Sequence, residues 1–514
     1  MRVKVRLLGI EAGGKPIVVI DEDTAETLGI RSLDRIEVRH GERMVIAIVN
    51  VASSFPHDVL GIYEEVRRGL GVGEGGEVDI QPAEKPESIR FIQDKIEGRR
   101  LTAPEIRSIV VDVIENRLSD VELASFVTAL KIRGLSMDEV EAFTRAMVET
   151  GEVIAWEEER VFDKHSIGGV PGDKTTLLVV PILASTGLLI PKTSSRAITS
   201  PAGTADRVEV LCPVDLTIDE IREVVRETRG CMVWGGALEL APADDLFINV
   251  EYPLSIDPIL LPSIMSKKKA IGSTHVLIDI PMGTQAKVKT LEEAHALARD
   301  FIELGRRLNI HVECAVTYGE QPIGYAVGPA LEAREALEAL MGRGPIDLRE
   351  KATNLAGVLL EMAGIEDGKA MATHLVEGGE AEGKLREIIS AQGGDPEVMP
   401  EDIDIGEKCE VITSDQRGRV VAISNSAVAH IAREAGAPKD KGAGVLLKVK
   451  LGDEVSEGEP LFEIYAERGW KMEAAVSLAE SLRPIRLSRR IEERMLIERF
   501  PKRFPPKEPF LLER

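Results

Sequence analysis

Between about residues 158 and 400 the chain alternates short apolar runs with amphipathic helical patterns, and no other feature restricts the fold so tightly. "HVLIDIP" precedes "LEEAHALARDFIELGRRL", and "HVECAVTY" precedes "PALEAREALEALMG". Runs of strand length, each followed by a helix, predict an α/β sheet unit. The flanking segments keep other periods. "RVKVRLL", "KPIVVID", "RIEVRHG" and "MVIAIVNVA" predict strands, and "TAETLGI" and "YEEVRRGLGV" short helices, in a small barrel-like module over 1–84. Helices are expected over 104–117, 120–133 and 137–150; the last two open on the capping boxes "SDVE" and "SMDE", with Gly134 and Gly151 as C-terminal caps.

The expected organisation is therefore a multidomain α/β protein. It has a β-barrel module (1–84), a helical domain (85–155, rejoined by 244–272), an α/β domain (156–243 and 273–402), and a β-rich C-terminal module with a basic tail (403–514). The tail is assigned no function.

Composition narrows the function. Aromatic residues are 4% of the chain and net charge is -23, which argues against base-stacking platforms, nucleic acid and anionic membrane. Any anion must be held by a local site. Cys212, Cys231, Cys314 and Cys409 are widely spaced and predict buried free thiols, not a metal cluster. With no secretory leader pattern and no long apolar run, a soluble cytoplasmic protein is expected.

"DKHSIGGVPGDKTTLL", residues 163–178, nearly spells a nucleotide loop. A triphosphate loop needs Gly-x-x-x-x-Gly-Lys-Ser/Thr, so that amides wrap the phosphates and the lysine caps them. Asp173 stands between Gly172 and Lys174 and would repel a triphosphate. A glycine turn before a helix still suits one small anion, with Lys164 and Ser166 completing the pocket. "PKTSSRAITSPAGTADRVEVL" adds a loop dense in hydroxyls, with Arg196, that suggests a second anion site facing the first. In "YPLSIDPILLPSIMSKKKAIGS", Asp257 precedes a proline at the head of a helix that ends in Lys267–Lys269. On their own these read as a helix cap and a solvated face.

Together the three segments resemble the type II nucleoside phosphorylases, which include the thymidine and pyrimidine-nucleoside enzymes. The matching residues are Lys164-His165-Ser166 with Gly168-Gly169, then Ser194-Ser195-Arg196 with Thr204 and Asp206, then Ser263-Ile264-Met265-Ser266-Lys267-Lys268, in the family's order across about 90–480. The chain departs from the pattern at Pro171, in the less glycine-rich second loop, and in "FINVEYPLSIDP", which lacks the arginine that contacts the base in nucleoside-specific members. These departures and the N-terminal module are similar to the family's archaeal branch, which acts on nucleoside 5′-monophosphates such as AMP. The resemblance implies phosphorolysis to free base and ribose 1,5-bisphosphate, with inorganic phosphate as a substrate and neither cofactor nor metal. By position it implies phosphate contacts from Lys164, Ser166 and Thr176, with Ser194 and Thr204 shared, and substrate contacts from Gly169, Ser195, Arg196, Ala197, Ile198, Thr199, Ser200, Met265 and Lys289. Asp257 is the implied general acid. His165, Ser263 and Lys267 are implied sugar or base contacts, with a structural role the alternative for His165. A homodimer or larger homo-oligomer is implied, with a cleft that closes on substrate.

Three rivals stand beside this reading. A nucleoside phosphorylase would share all three motifs. The anthranilate phosphoribosyltransferases share the architecture but need Gly-Thr-Gly-Gly-Asp where this chain has "SIGGVPGDK". "VKLGDEVSEGEPLFEI" is similar to lipoyl and biotinyl carriers, yet it runs into "YAERGWKMEAA" without a lysine-bearing hairpin tip.

Overall fold

The computed structural model describes residues 1–197, 200–238, 240–254 and 256–488. The expected contacts Ile198 and Thr199, and the basic tail from 489 on, lie outside the described residues.

In Arg2–Leu7 the alternation puts Val3 and Val5 inward and Arg2, Lys4 and Arg6 outward. Five further strands repeat this, and the six close into a barrel in the order Arg2–Leu7, Val59–Ile62, Ile17–Asp21, Arg43–Ala52, Arg35–His40, Glu77–Pro82. Closure leaves no open sheet edge. "VLGI" and "EVDIQP", which complete the ring, are too short or too acidic to stand out in the sequence. The barrel docks on the helical domain through Arg35, whose Nη2 donates to the Leu118 carbonyl at 2.9 Å.

Helices Ala103–Ile114, Asp120–Arg133 and Met137–Glu149 begin at the capping residues Thr102, Ser119 and Ser136, and Ser88–Ile96 precedes them. Gly134 caps its helix with φ of 70°, whereas Thr150, not Gly151, caps the next. Helices Pro242–Leu254 and Leu260–Ala270 rejoin this unit across about a hundred intervening residues. Phe247 makes the join: its ring lies 6.4 Å from Phe126 and 6.1 Å from Phe143, all three buried. A chain so poor in aromatics spends three on this seam because large buried rings stabilise a join strongly.

The α/β domain holds parallel strands in two pieces. One is His311–Tyr318, His275–Met282, Phe162–Ser166; the other is Ile190–Ser194 beside Gly230–Trp234. Among the described residues the Val161–Leu189 bridge alone joins them, so the single sheet the alternation predicts is split. Strand order reverses between Phe162–Ser166 and His275–Met282, and α/β sheets bind ligands at the carboxyl ends of strands at such a point. Helix Thr176–Ser185 is apolar all round and buried beneath.

The C-terminal region carries sheets of four and three strands with helices Asn425–Glu434 and Gly469–Leu482. Strand Ala326–Val327 pairs with Gly444–Leu447, so the sheet crosses the boundary expected near 402. Strand Pro460–Ala466 leads into Gly469–Leu482 and forms no carrier hairpin. The cysteines are free, but only Cys212 and Cys231 are buried; Cys409 is exposed. No helix among the described residues is long and apolar enough to cross a membrane.

Candidate active site

Phe162–Ser166 is the strand on which the site is built. Covered on both faces, it has no solvent for Asp163 and Lys164, and partners from four elements neutralise them. Asp163 takes Lys268 at 2.7 Å and Lys192 at 3.3 Å. Lys164 donates to Thr175 Oγ1 at 2.9 Å and faces Asp279 at 3.6 Å. Lys351 bridges Asp173 at 3.0 Å and Asp279 at 2.9 Å. Four lysines thus meet three aspartates, a local positive excess in an acidic protein.

That excess shapes the titrating groups. Burial, then Lys268 and Lys164, lowers Lys192 to about 7 against the pull of Asp163. Burial and the neighbouring lysines keep His165 well below its usual value, so its ring is neutral. Burial would raise Asp173, but Lys164, Lys351 and Thr175 outweigh it and hold the carboxyl well below its usual range.

The near-nucleotide loop turns Asp173 and Lys174 away from a triphosphate role. Asp173 binds Thr175 and Lys351, while Lys174 is buried against the Glu335 carboxylate and the carbonyls of Ile323 (3.1 Å) and Ala326 (3.0 Å). Gly169 has φ of 93°, and a Cβ there would sit 2.9 Å from the Lys287 amide nitrogen. Only glycine lets this turn touch the one after His275–Met282.

The hydroxyl loop is tied at both ends by one carboxylate: Asp206 Oδ2 accepts from the amides of Ala197 (2.7 Å) and Gly203 (2.8 Å). A Cβ on Gly203 would lie 2.5 Å from the Ser195 carbonyl. Arg207 braces the loop from behind, at 2.9 Å from the Ala202 carbonyl and 2.6 Å from Glu332.

These pieces frame a cleft of about 540 Å³ between the helical unit and the α/β domain. Lys164, His165, Ser166, Gly169 and Thr176 line its floor; Ser194, Ser195, Ser200 and Thr204 form one side. Asp257, Ser263 and Lys267 face them. Four expected contacts are not brought in. Arg196 makes a two-pronged pair with Glu209 at 2.8 and 2.6 Å and lies over Trp234. Ala197 serves through its amide alone. Met265 is fully buried in the core, on the opposite side of its helix from Ser263. Lys289 is exposed, and its amide donates to Glu293. Lys287 enters the cleft in its place, 3.3 Å from Asp257.

Sequence reasoning also missed Lys192, Arg207 and Glu251, all cleft-lining. Lys192 stands inside the hydroxyl motif, two residues before Ser194; Glu251 is a lone acid in "FINVEYPL", flanked by apolar residues. Asp257, the implied general acid, has a side chain 41% exposed and paired with Lys287. Among the described residues the grouping able to hold a metal is Asp21, Asp23 and His57, in the barrel, where Asp21 already caps a helix.

Three family models match the chain. Residues 89–151 match the helical bundle domain of a glycosyl transferase family, 158–382 its a/b domain, and 419–486 the pyrimidine nucleoside phosphorylase C-terminal domain. The fold alone is shared with anthranilate phosphoribosyltransferase from Thermus thermophilus, at TM-score 0.50 and 19% identity over 59% of this chain and 98% of that one. Fold and domains define an enzyme that transfers a pentosyl group. A protein of Thermofilum pendens named AMP phosphorylase is 49% identical over all of both chains. Those of Thermococcus kodakarensis (51%, 96% of this chain and 99% of that) and Pyrococcus furiosus (51%, 95% and 98%) bear the same name. The chain belongs to the AMP phosphorylase family.

Proposed function

We propose that this enzyme splits nucleoside 5′-monophosphates, AMP and also CMP and UMP, with inorganic phosphate into free base and ribose 1,5-bisphosphate. The observation that carries the reading is the positive excess around Asp163 beneath two hydroxyl-lined turns. It suits a small dianion.

Lys164, Ser166, Thr176, Ser194 and Thr204 hold the attacking phosphate, with Lys192 beside them. Held next to C1′, the dianion attacks and also stabilises the positive charge that develops on the ribose. The C1′–N bond breaks, a C1′–O bond to phosphate forms, and the base leaves with a proton delivered by Asp257. The 5′-phosphate takes the far side of the cleft, with Ser195, Ser200 and Lys287; Arg196 and Lys289 support the fold around it. Neutral His165, Ser263 and Lys267 face the sugar and base. Closure of the helical wall onto the α/β domain excludes water as a competing nucleophile. No cofactor takes part, and the enzyme works in the cytoplasm. It acts as a homo-oligomer joined through the helical domain, where Val121 and Ile132 are exposed on one helix.

The test is phosphate-dependent base release from AMP, CMP, UMP and adenosine, with light scattering for assembly. Release from AMP well above adenosine is expected. A preference for adenosine would sink the 5′-phosphate reading.

A further inference from the structure

Three carboxylates and two lysines meet on the helical wall of the cleft. Asp244 and Glu251 stand on helix Pro242–Leu254, and Asp257 follows it; Lys267 comes from Leu260–Ala270 and Lys287 from the turn after His275–Met282. Lys267 lies 2.5 Å from Asp244, and Lys287 3.3 Å from Asp257. Glu251 is left with neither. It is 5% exposed, it lines the cleft, and its Oε1 meets no hydrogen-bond donor among the described residues. Asp245 adds another acid beside Asp244. An ionised carboxylate buried among ionised carboxylates, with both cations committed elsewhere, is unfavourable; a neutral acid is not.

We propose that Glu251 is the proton store of this cleft, protonated in the free enzyme and passing its proton to Asp257 when the substrate binds. Burial, then the charges of Asp257 and Asp244, pushes Glu251 up to about 8, against the weaker opposite pulls of the Ile259 amide and Lys287. The inference rests on the phosphorolysis reading and completes it. Asp257 is ion-paired with Lys287 at the mouth of the open cleft. An arriving 5′-phosphate competes for Lys287, and Asp257 loses its cation. The Glu251 O–H bond then breaks as an O–H bond forms on Asp257, directly or through one water. As C1′–N breaks, that proton goes to the leaving base nitrogen, and both carboxylates are left ionised. Water reprotonates Glu251 after the products leave. The acid is thereby armed only when a 5′-phosphorylated substrate is in place.

Infrared difference spectra of the free enzyme read the proton without any turnover. Wild type minus Glu251→Gln is expected to show a protonated carboxylic acid band at neutral pH that titrates near 8. Glu251→Gln should slow AMP phosphorolysis about a hundredfold, with the KM for AMP within about threefold. It should also remove the alkaline limb of kcat/KM for AMP at saturating phosphate. A 4-nitrophenyl β-ribofuranoside 5-phosphate, whose phenolate departs without a proton, should be spared, and Glu251→Asp should recover part of the AMP rate. Absence of the infrared band, or equal losses for both leaving groups, overturns the proposal. A band that titrates as expected in an enzyme that releases no base from AMP leaves the proton on Glu251 and overturns the phosphorolysis reading instead.

Discussion

Lys192 makes anion binding dependent on pH in a way that can be worked out in advance. In the free enzyme its ammonium is lowered to about 7, first by burial and then by Lys268 and Lys164. A dianion on the cleft floor adds negative charge beside it and restores the protonated form. The free-state value is depressed and the bound-state value is not, so affinity is full below pH 7 and is lost as pH rises above it. Each further pH unit costs about 1.4 kcal/mol, which compounds to roughly fiftyfold in Kd between pH 7 and 9. Sulfate is the clean probe, because unlike phosphate it stays a dianion throughout. Titration calorimetry in buffers of different ionisation heat should show about half a proton taken up at pH 7 and nearly one at pH 8. Lys192→Arg, which keeps its charge, should bind sulfate with a flat profile. A wild-type Kd constant within about twofold from pH 7 to 9, or a slope that survives in Lys192→Arg, would refute the reasoning.

Four further outcomes are expected. Asp163→Asn strands Lys268 and Lys192 in the interior and should lower stability by about 3–5 kcal/mol, read from the urea midpoint; a loss under about 1 kcal/mol would mean the lysines find other partners. Lys287→Met should raise the KM for AMP about tenfold or more, whereas Lys289→Met should leave it unchanged; the reverse pattern would restore Lys289 to the cleft. Gly203→Ala places a Cβ 2.5 Å from the Ser195 carbonyl, so phosphorolysis should fall about tenfold or more while the fold, by circular dichroism, is kept. Asp257→Asn should cut turnover about a hundredfold or more with nucleotide binding within severalfold, and near-normal turnover would remove it from proton transfer.

Local chemistry made much of this legible beforehand. The capping boxes at Ser119 and Ser136 mark where helices begin, because a cap is decided within four residues. Asp173 rules out a triphosphate loop by its position alone, and in the fold it is committed to Thr175 and Lys351. The errors share one cause. Lys287 and Lys289 are two residues apart in the same turn, and only the approach of that turn to Gly169 decides which reaches the cleft. Arg196 looks like an anion ligand in its loop, but Glu209, thirteen residues on, takes its guanidinium. Glu251 carries no motif; its significance comes from two lysines, on separate elements, that choose other carboxylates.

The sequence by itself determined the α/β alternation, the helix caps and the order of the three site segments. These depend on period and on contacts a few residues long. Tertiary structure alone decided where the sheet splits, which lysine meets which aspartate, and which acid is left without a cation. Asp163 and Lys268 are 105 residues apart and 2.7 Å apart in space. Charge balance in a buried cleft is a sum over such distant partners, and no local pattern carries it.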